Sequence, residues 1–147
     1  LAKAFVVAEN YESSKDQDMS LKASELRIGN WVHSPHSKYT WQVYPDDFRE
    51  IWDHPENYEP IPLSEEWLVK FGFEKHFEDE YWYDIPWKEE GPYGKVNVFL
   101  EGGFCYVHSG LAADGEDYGF KVICKYVHTL QNLIHGLTGE ELTINQI

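Results

Sequence analysis

Apolar positions change their period several times along this chain, and each change predicts an element. Val127, Leu130, Ile134 and Leu137 recur at spacings of three, four and three residues, the stripe by which an α-helix faces a core. Gly139 follows where a left-handed cap would end that helix. Residues 61–73 predict a second helix of about two turns, marked at both ends. Ser64 suits the N-cap, because its hydroxyl can accept from an otherwise unpaired amide of the first turn. Glu65 and Glu66 then sit at the positive end of the helix dipole, and Leu63 and Leu68 occupy the two positions of a hydrophobic staple. Trp67, Leu68 and Phe71 are expected to face inward, with Gly72 as the stop.

Elsewhere the period is two. Phe77–Trp87 and Lys95–His108 read as strands, with turns at Glu90–Gly94 and at Glu101-Gly102-Gly103. Tyr118–Cys124 is expected to add another strand, and Glu140–Ile144 a short edge strand. In front, Leu26–Val32 predicts a strand with a turn or bulge residue at Gly29. Ser34-Pro35-His36-Ser37 breaks the pattern before Tyr39–Tyr44 resumes it. The two runs should form a hairpin whose register is set by Trp31, Val32, Trp41 and Val43. Leu-Arg-Ile-Gly-Asn-Trp-Val also resembles the first strand of small SH3-like barrels. From Pro45 to Pro62 the chain is acidic and punctuated by prolines, with Phe48, Ile51 and Trp52 on one side of a short helical turn. The expected fold is α+β: a curved, mostly antiparallel sheet, SH3-like in its first half, with two packed helices.

The 147 residues suit one domain, and the only methionine, Met19, suggests a frame that begins there. Residues 1–18 are then expected to be an upstream extension or flexible tail, and 19–147 a single α+β domain. Six Trp, ten Tyr and eight Phe supply enough buried area for a stable core. No window is apolar enough for a membrane helix, and the expected location is cytoplasmic. Cys105 and Cys124 lack any zinc spacing and read as reduced, buried thiols. Against 12 Lys and Arg stand 26 Asp and Glu, a net charge of −14. Such a surface repels phosphate backbones and anionic lipids, so direct nucleic-acid and membrane binding are disfavoured, and a basic protein is the favoured partner.

Three separated segments carry a resemblance. They are Pro60-Ile61-Pro62-Leu63-Ser64-Glu65-Glu66-Trp67-Leu68 with Phe71-Gly72-Phe73, then Tyr126-Val127-His128-Thr129-Leu130-Gln131-Asn132-Leu133, and finally Leu137-Thr138-Gly139-Glu140-Glu141-Leu142. With Leu26–Val32 in front, the chain resembles a family of small uncharacterised proteins from gut-associated bacteria, their prophages and phages. The resemblance spans most of residues 21–144 and leaves 76–120 unmatched. It implies the context of a mobile-element accessory protein, and brings no activity, cofactor or catalytic residue with it.

Candidate chemistry is sparse. His33 and His36 form a His-x-x-His that could ligate a transition metal with Asp46 or Asp53, but exposed turn histidines are the favoured reading. His128 and His135 lie seven apart on one helix face and are read as separately partnered. Glu78-Asp79-Glu80 and Asp84 could hold a hard cation, yet lack the order of a calcium loop. No Gly-x-Ser-x-Gly or phosphate-binding loop occurs. Strand alternation puts Cys105 and His108 on opposite faces. No catalytic residue, metal or cofactor is therefore assigned.

Tyr81–Glu90 is the segment with a recognisable interaction pattern. Alternation places Tyr81, Tyr83 and Ile85 on one face, with Trp82 and Asp84 on the other. An outward Trp82 rimmed by carboxylates would suit a protein-binding hot spot, and Trp82 packed beneath the last helix is the alternative. The expected partner-binding set is Glu78, Asp79, Glu80, Trp82, Asp84, Trp87, Glu89 and Glu90. The leading expectation is a non-enzymatic acidic protein of a phage or mobile element. It would bind and inhibit a basic, nucleic-acid-handling host protein such as a CRISPR-type nuclease. A structural or assembly component is the alternative, and a small metal-dependent enzyme using His33 and His36 a second one.

Overall fold

A computed structural model of the chain describes residues 21–85, 93–109 and 119–145. The chain divides into two compact units at the Pro60–Ile61 junction, and helices and antiparallel strands together make an α+β protein.

The first unit is built on the predicted hairpin. Strand β1, Trp31–His33, pairs antiparallel with β2, Thr40–Gln42, with Val32 opposite Trp41. Leu26–Asn30 is a turn rather than the start of the strand. Gly29 takes a φ of +90° there, and the fully buried Asn30 closes the turn by accepting from the Arg27 amide at 2.6 Å. Backbone bonds from Gly29 to Val43 and from Val43 to Asn30 lock the turn to the returning chain. Helix α1, Asp47–Asp53, follows, and then a short 3-10 turn at Pro55–Asn57. Leu21, Leu26, Val32, Val43, Ile51 and Tyr58 form one buried cluster, with Ala23, Trp41 and Phe48 packed against it. Ile51 and Phe48 face that core as expected. Trp52 does not: it lies 72% exposed. Successive helical residues are turned about 100° from each other, and Ile51 takes the central inward position of this two-turn helix.

The second unit opens with helix α2, Glu65–Lys70. The Ser64 hydroxyl accepts from the Trp67 amide at 3.4 Å, and Gly72 at φ +89° turns the chain out of the helix. Leu68 and Phe71 are buried and Trp67 partly so. Five strands then form one antiparallel meander in chain order: β3 Glu74–Phe77, β4 Glu80–Asp84, β5 Tyr93–Phe99, β6 Phe104–Ser109 and β7 Gly119–Ile123. Registered rows cross the sheet and alternate between its faces. Tyr81, Val98, Cys105 and Val122 form one row, its first three members completely or almost completely buried. Trp82, Asn97, Tyr106 and Lys121 form the next, on the opposite face.

Two expected strands need correction. Phe77–Trp87 is not continuous: the chain turns at Glu78–Asp79, and Phe77 instead ends an edge strand, Glu74–Phe77, whose first three residues the sequence pattern assigned to no element. Asp79 holds this turn, its carboxylate accepting from the Glu101 amide at 2.7 Å. Glu140–Ile144 is no strand. The chain there buries Leu142 and bonds from the Asn145 amide to the Lys70 carbonyl at the end of α2, which leaves no ladder for it to join. Within the expected turn at Glu90–Gly94, Tyr93 and Gly94 already belong to β5 and the rest lies outside the described residues.

Helix α3, Val127–Thr138, buries Val127, Leu130 and Ile134 and stops at Gly139, φ +73°. It also buries His128 and Gln131, two polar positions that the apolar stripe did not identify as interior. Among the described residues no helix is long and apolar enough to cross a membrane.

Candidate functional site

The β3–β4 hairpin carries the centre of the expected patch, and its local chemistry sorts the acidic residues into committed and open ones. A two-residue connection, Glu78–Asp79, joins the strands. Neither residue has positive φ, so the turn is not the type I′ that tight hairpins favour. The register instead slips between Lys75 and Phe77, and the bulge absorbs the mismatch in twist. Its consequence is that Phe77 projects from the hairpin end, 65% exposed.

Trp82 does lie on the face opposite Tyr81, as alternation predicts. It is half-buried, and its ring is engaged by two neighbours. His76 stacks on it at 3.9 Å between ring centres, and the Lys95 ammonium lies 3.7 Å from the ring centre. The indole Nε1 donates to Glu80 Oε1 at 2.6 Å, and the amide of the nearly buried Asn97 donates to the same oxygen at 2.8 Å. Trp82 is thus held by its own chain through ring contacts and at its polar edge. The Lys95 contact also demonstrates the recognition this ring offers: a cation over an electron-rich face.

Of the expected carboxylates, Glu80 is spent on Trp82 and Asn97, and Asp79 on the Glu101 amide. Glu78 and Asp84 are exposed. Trp87, Glu89 and Glu90 lie outside the described residues. Glu74, which was not in the expected set, adds an exposed carboxylate, with His76 Nε2 3.9 Å away. Glu74, His76, Trp82, Asp84 and Lys95 line an open groove of about 360 Å³. On the neighbouring edge Lys75 bonds Glu65 at 3.2 Å, and that bond holds its ammonium above the ordinary lysine range.

The hairpin therefore keeps Phe77, Glu78, Glu74 and Asp84 presented outward and engages Trp82 in contacts within the chain. Sequence reasoning missed Phe77 because it was taken as the first residue of a long strand. The usable signal was Phe77 directly before Glu78-Asp79-Glu80: consecutive acids between strand formers suit a hairpin tip better than a ladder.

Other candidate groups stay apart. His33 hydrogen-bonds Thr40 at 3.3 Å and lies 3.7 Å from Glu59. His128 is buried and stacks on Tyr126, whereas His135 is half-exposed near Glu141. Among the described residues no three His, Cys, Asp or Glu side chains converge as metal ligands. Cys105 and Cys124 are free and buried. The hydrogen bond between them, together with burial, pushes the Cys105 thiol far above the ordinary range, the opposite of an activated nucleophile. Tyr106 and His108 stack edge-on on the other face of β6.

In comparison with known proteins, no family model, curated protein or solved structure matches this chain significantly.

Proposed function

We propose that this chain is a non-enzymatic acidic interaction protein of a phage or other mobile element. It docks on a basic, nucleic-acid-handling host protein and inhibits it by occupying the channel meant for phosphates. A CRISPR-type nuclease is one concrete target. The observation that carries this reading is the end of the β3–β4 hairpin, where Phe77 stands 65% exposed beside the exposed carboxylate of Glu78. An apolar anchor beside an exposed carboxylate combines short-range affinity with electrostatic steering. The net charge of −14 supplies the long-range field, and the resemblance to proteins of phages and gut bacteria supplies the context.

The test is binding of the full chain to a purified CRISPR-type nuclease across a salt series, with and without guide RNA. Affinity should fall by an order of magnitude or more from low to high salt, guide or target nucleic acid should compete, and Phe77→Ser should weaken binding without altering the fold. Salt-independent affinity would exclude charge mimicry. Binding indifferent to Phe77→Ser and Glu78→Lys would exclude the hairpin as its site.

A further inference from the structure

The groove on the second unit already holds a cation of the chain's own. Trp82 stands on β4, between β3 and β5, and the Lys95 ammonium lies 3.7 Å from its ring centre. Register offers that ammonium a different partner. Lys95 and Asp84 are paired directly across β4 and β5, so both project from one face of the sheet with neighbouring Cβ atoms. The ammonium takes the ring instead, and Asp84 stays exposed, with no ion pair among the described residues. On the other side of Trp82 its registered partner is Glu74, 83% exposed and 3.9 Å from His76. Glu74, Trp82, Asp84 and Lys95 all line the groove of about 360 Å³.

An electron-rich ring flanked by two carboxylates has the chemistry of a cation site, and Lys95 is its internal occupant. With histidine counted neutral, two carboxylates against one lysine leave the groove one positive charge short. A guanidinium meets that need better than a second ammonium. It is planar and weakly hydrated, so it can lie on an indole face while its N–H fork donates to a carboxylate at the edge. The exchange also leaves no charge stranded. An incoming guanidinium takes the ring and Glu74, and the released Lys95 closes on Asp84, its registered partner.

We propose that this groove binds the guanidinium of an arginine side chain, which displaces Lys95 from Trp82 onto Asp84. The basic partner proposed above supplies that arginine, so the site rests on that reading and gives it a specific contact chemistry beside the Phe77 tip.

The test titrates the full chain with N-acetyl-arginine amide at matched ionic strength and follows the side chains by NMR. In the free chain the indole ring current should shift the Lys95 ε-methylene protons upfield, and saturation should return them to ordinary lysine positions. Lys95→Ala removes the internal competitor and should tighten binding by about threefold. Lys121→Ala removes the same charge from the same face of the sheet and should change it by less than about twofold. Glu74→Gln combined with Asp84→Asn should weaken binding by about fivefold. Phe77→Ser should leave it unchanged, and the probe involves no nuclease, so failure here is separate from failure of the hairpin reading. Lys95 protons that stay put at saturation would overturn the proposal, as would binding no tighter in Lys95→Ala. Equal binding of N-acetyl-lysine amide would overturn the guanidinium assignment. Tighter binding of free arginine would overturn the partner's side chain as its source, because the groove would then be a small-molecule site.

Discussion

Glu80 offers the sharpest test of how the hairpin is built, because a residue that reads as part of an acidic docking surface is bonded inward instead. Glu80→Ala removes the acceptor of two donors, Trp82 Nε1 at 2.6 Å and Asn97 Nδ2 at 2.8 Å. Asn97 is only 6% exposed, so its amide pays most of the cost of an unsatisfied buried donor, about 1–3 kcal/mol. Trp82 is half-buried and can recover part of its bond from water, which adds about 0.5–1 kcal/mol. The expected loss is therefore about 1.5–4 kcal/mol. Glu80→Gln keeps an oxygen in place and forfeits only the charge assistance, about 1 kcal/mol. Urea unfolding followed by near-UV circular dichroism reads this through Trp82. With a slope of about 2 kcal/mol/M, the midpoint should fall by about 1–2 M for the alanine variant. A loss below about 1 kcal/mol for Glu80→Ala would refute the reasoning, as would equal losses for the two variants. Partner binding should be untouched by Glu80→Gln, in contrast to Glu78→Lys.

Four further outcomes follow from the same geometry. Ser64→Ala should cost about 0.5–1 kcal/mol in urea melts, the low side of a lost N-cap, because the bond to Trp67 is long at 3.4 Å. Gly72→Ala and Gly139→Ala should each cost about 1–2 kcal/mol through left-handed strain. At Gly139 no atom crowds the added carbon, and at Gly72 only the mobile end of Asn145 does, so a loss confined to one of them would contradict that account. Cys105 and Cys124 should resist a water-soluble maleimide in the folded chain at pH 8 and both label in guanidinium; rapid labelling of the native protein would show that the thiols are not enclosed. The Tyr58 phenol is pushed up to about 12 by burial and by Glu50 beside it, whereas an unfolded tyrosine ionises near 10. The unfolded chain therefore loses this proton first, and the stability that Tyr58 contributes is complete below pH 10 and falls between pH 10 and 12. Tyr58→Phe should remove that share of the alkaline slope in urea melts.

Local signals were legible wherever one short stretch contained both partners of an interaction. Ser64 and the Trp67 amide lie three residues apart, Gly72 and Gly139 end helices through their own backbone freedom, and Val127, Leu130 and Ile134 announce a buried stripe by spacing alone. Alternation also placed Tyr81 and Trp82 on opposite faces without error. By contrast, the fate of each polar group on those faces depends on residues that sequence order does not bring near. Glu80 meets Asn97 across 17 positions and Asp79 meets the Glu101 amide across 22, so two carboxylates of the expected patch are consumed by contacts no local pattern could foretell. Lys95 caps Trp82 because β5 returns antiparallel beside β4, and a bulge in an edge strand turns Phe77 outward. Period and capping are properties of a few neighbouring residues, and the sequence by itself determined the helices, most strands and the acid-rich surface. Which side chains remain open to a partner is a property of strand pairing and register, and only the tertiary structure decided that.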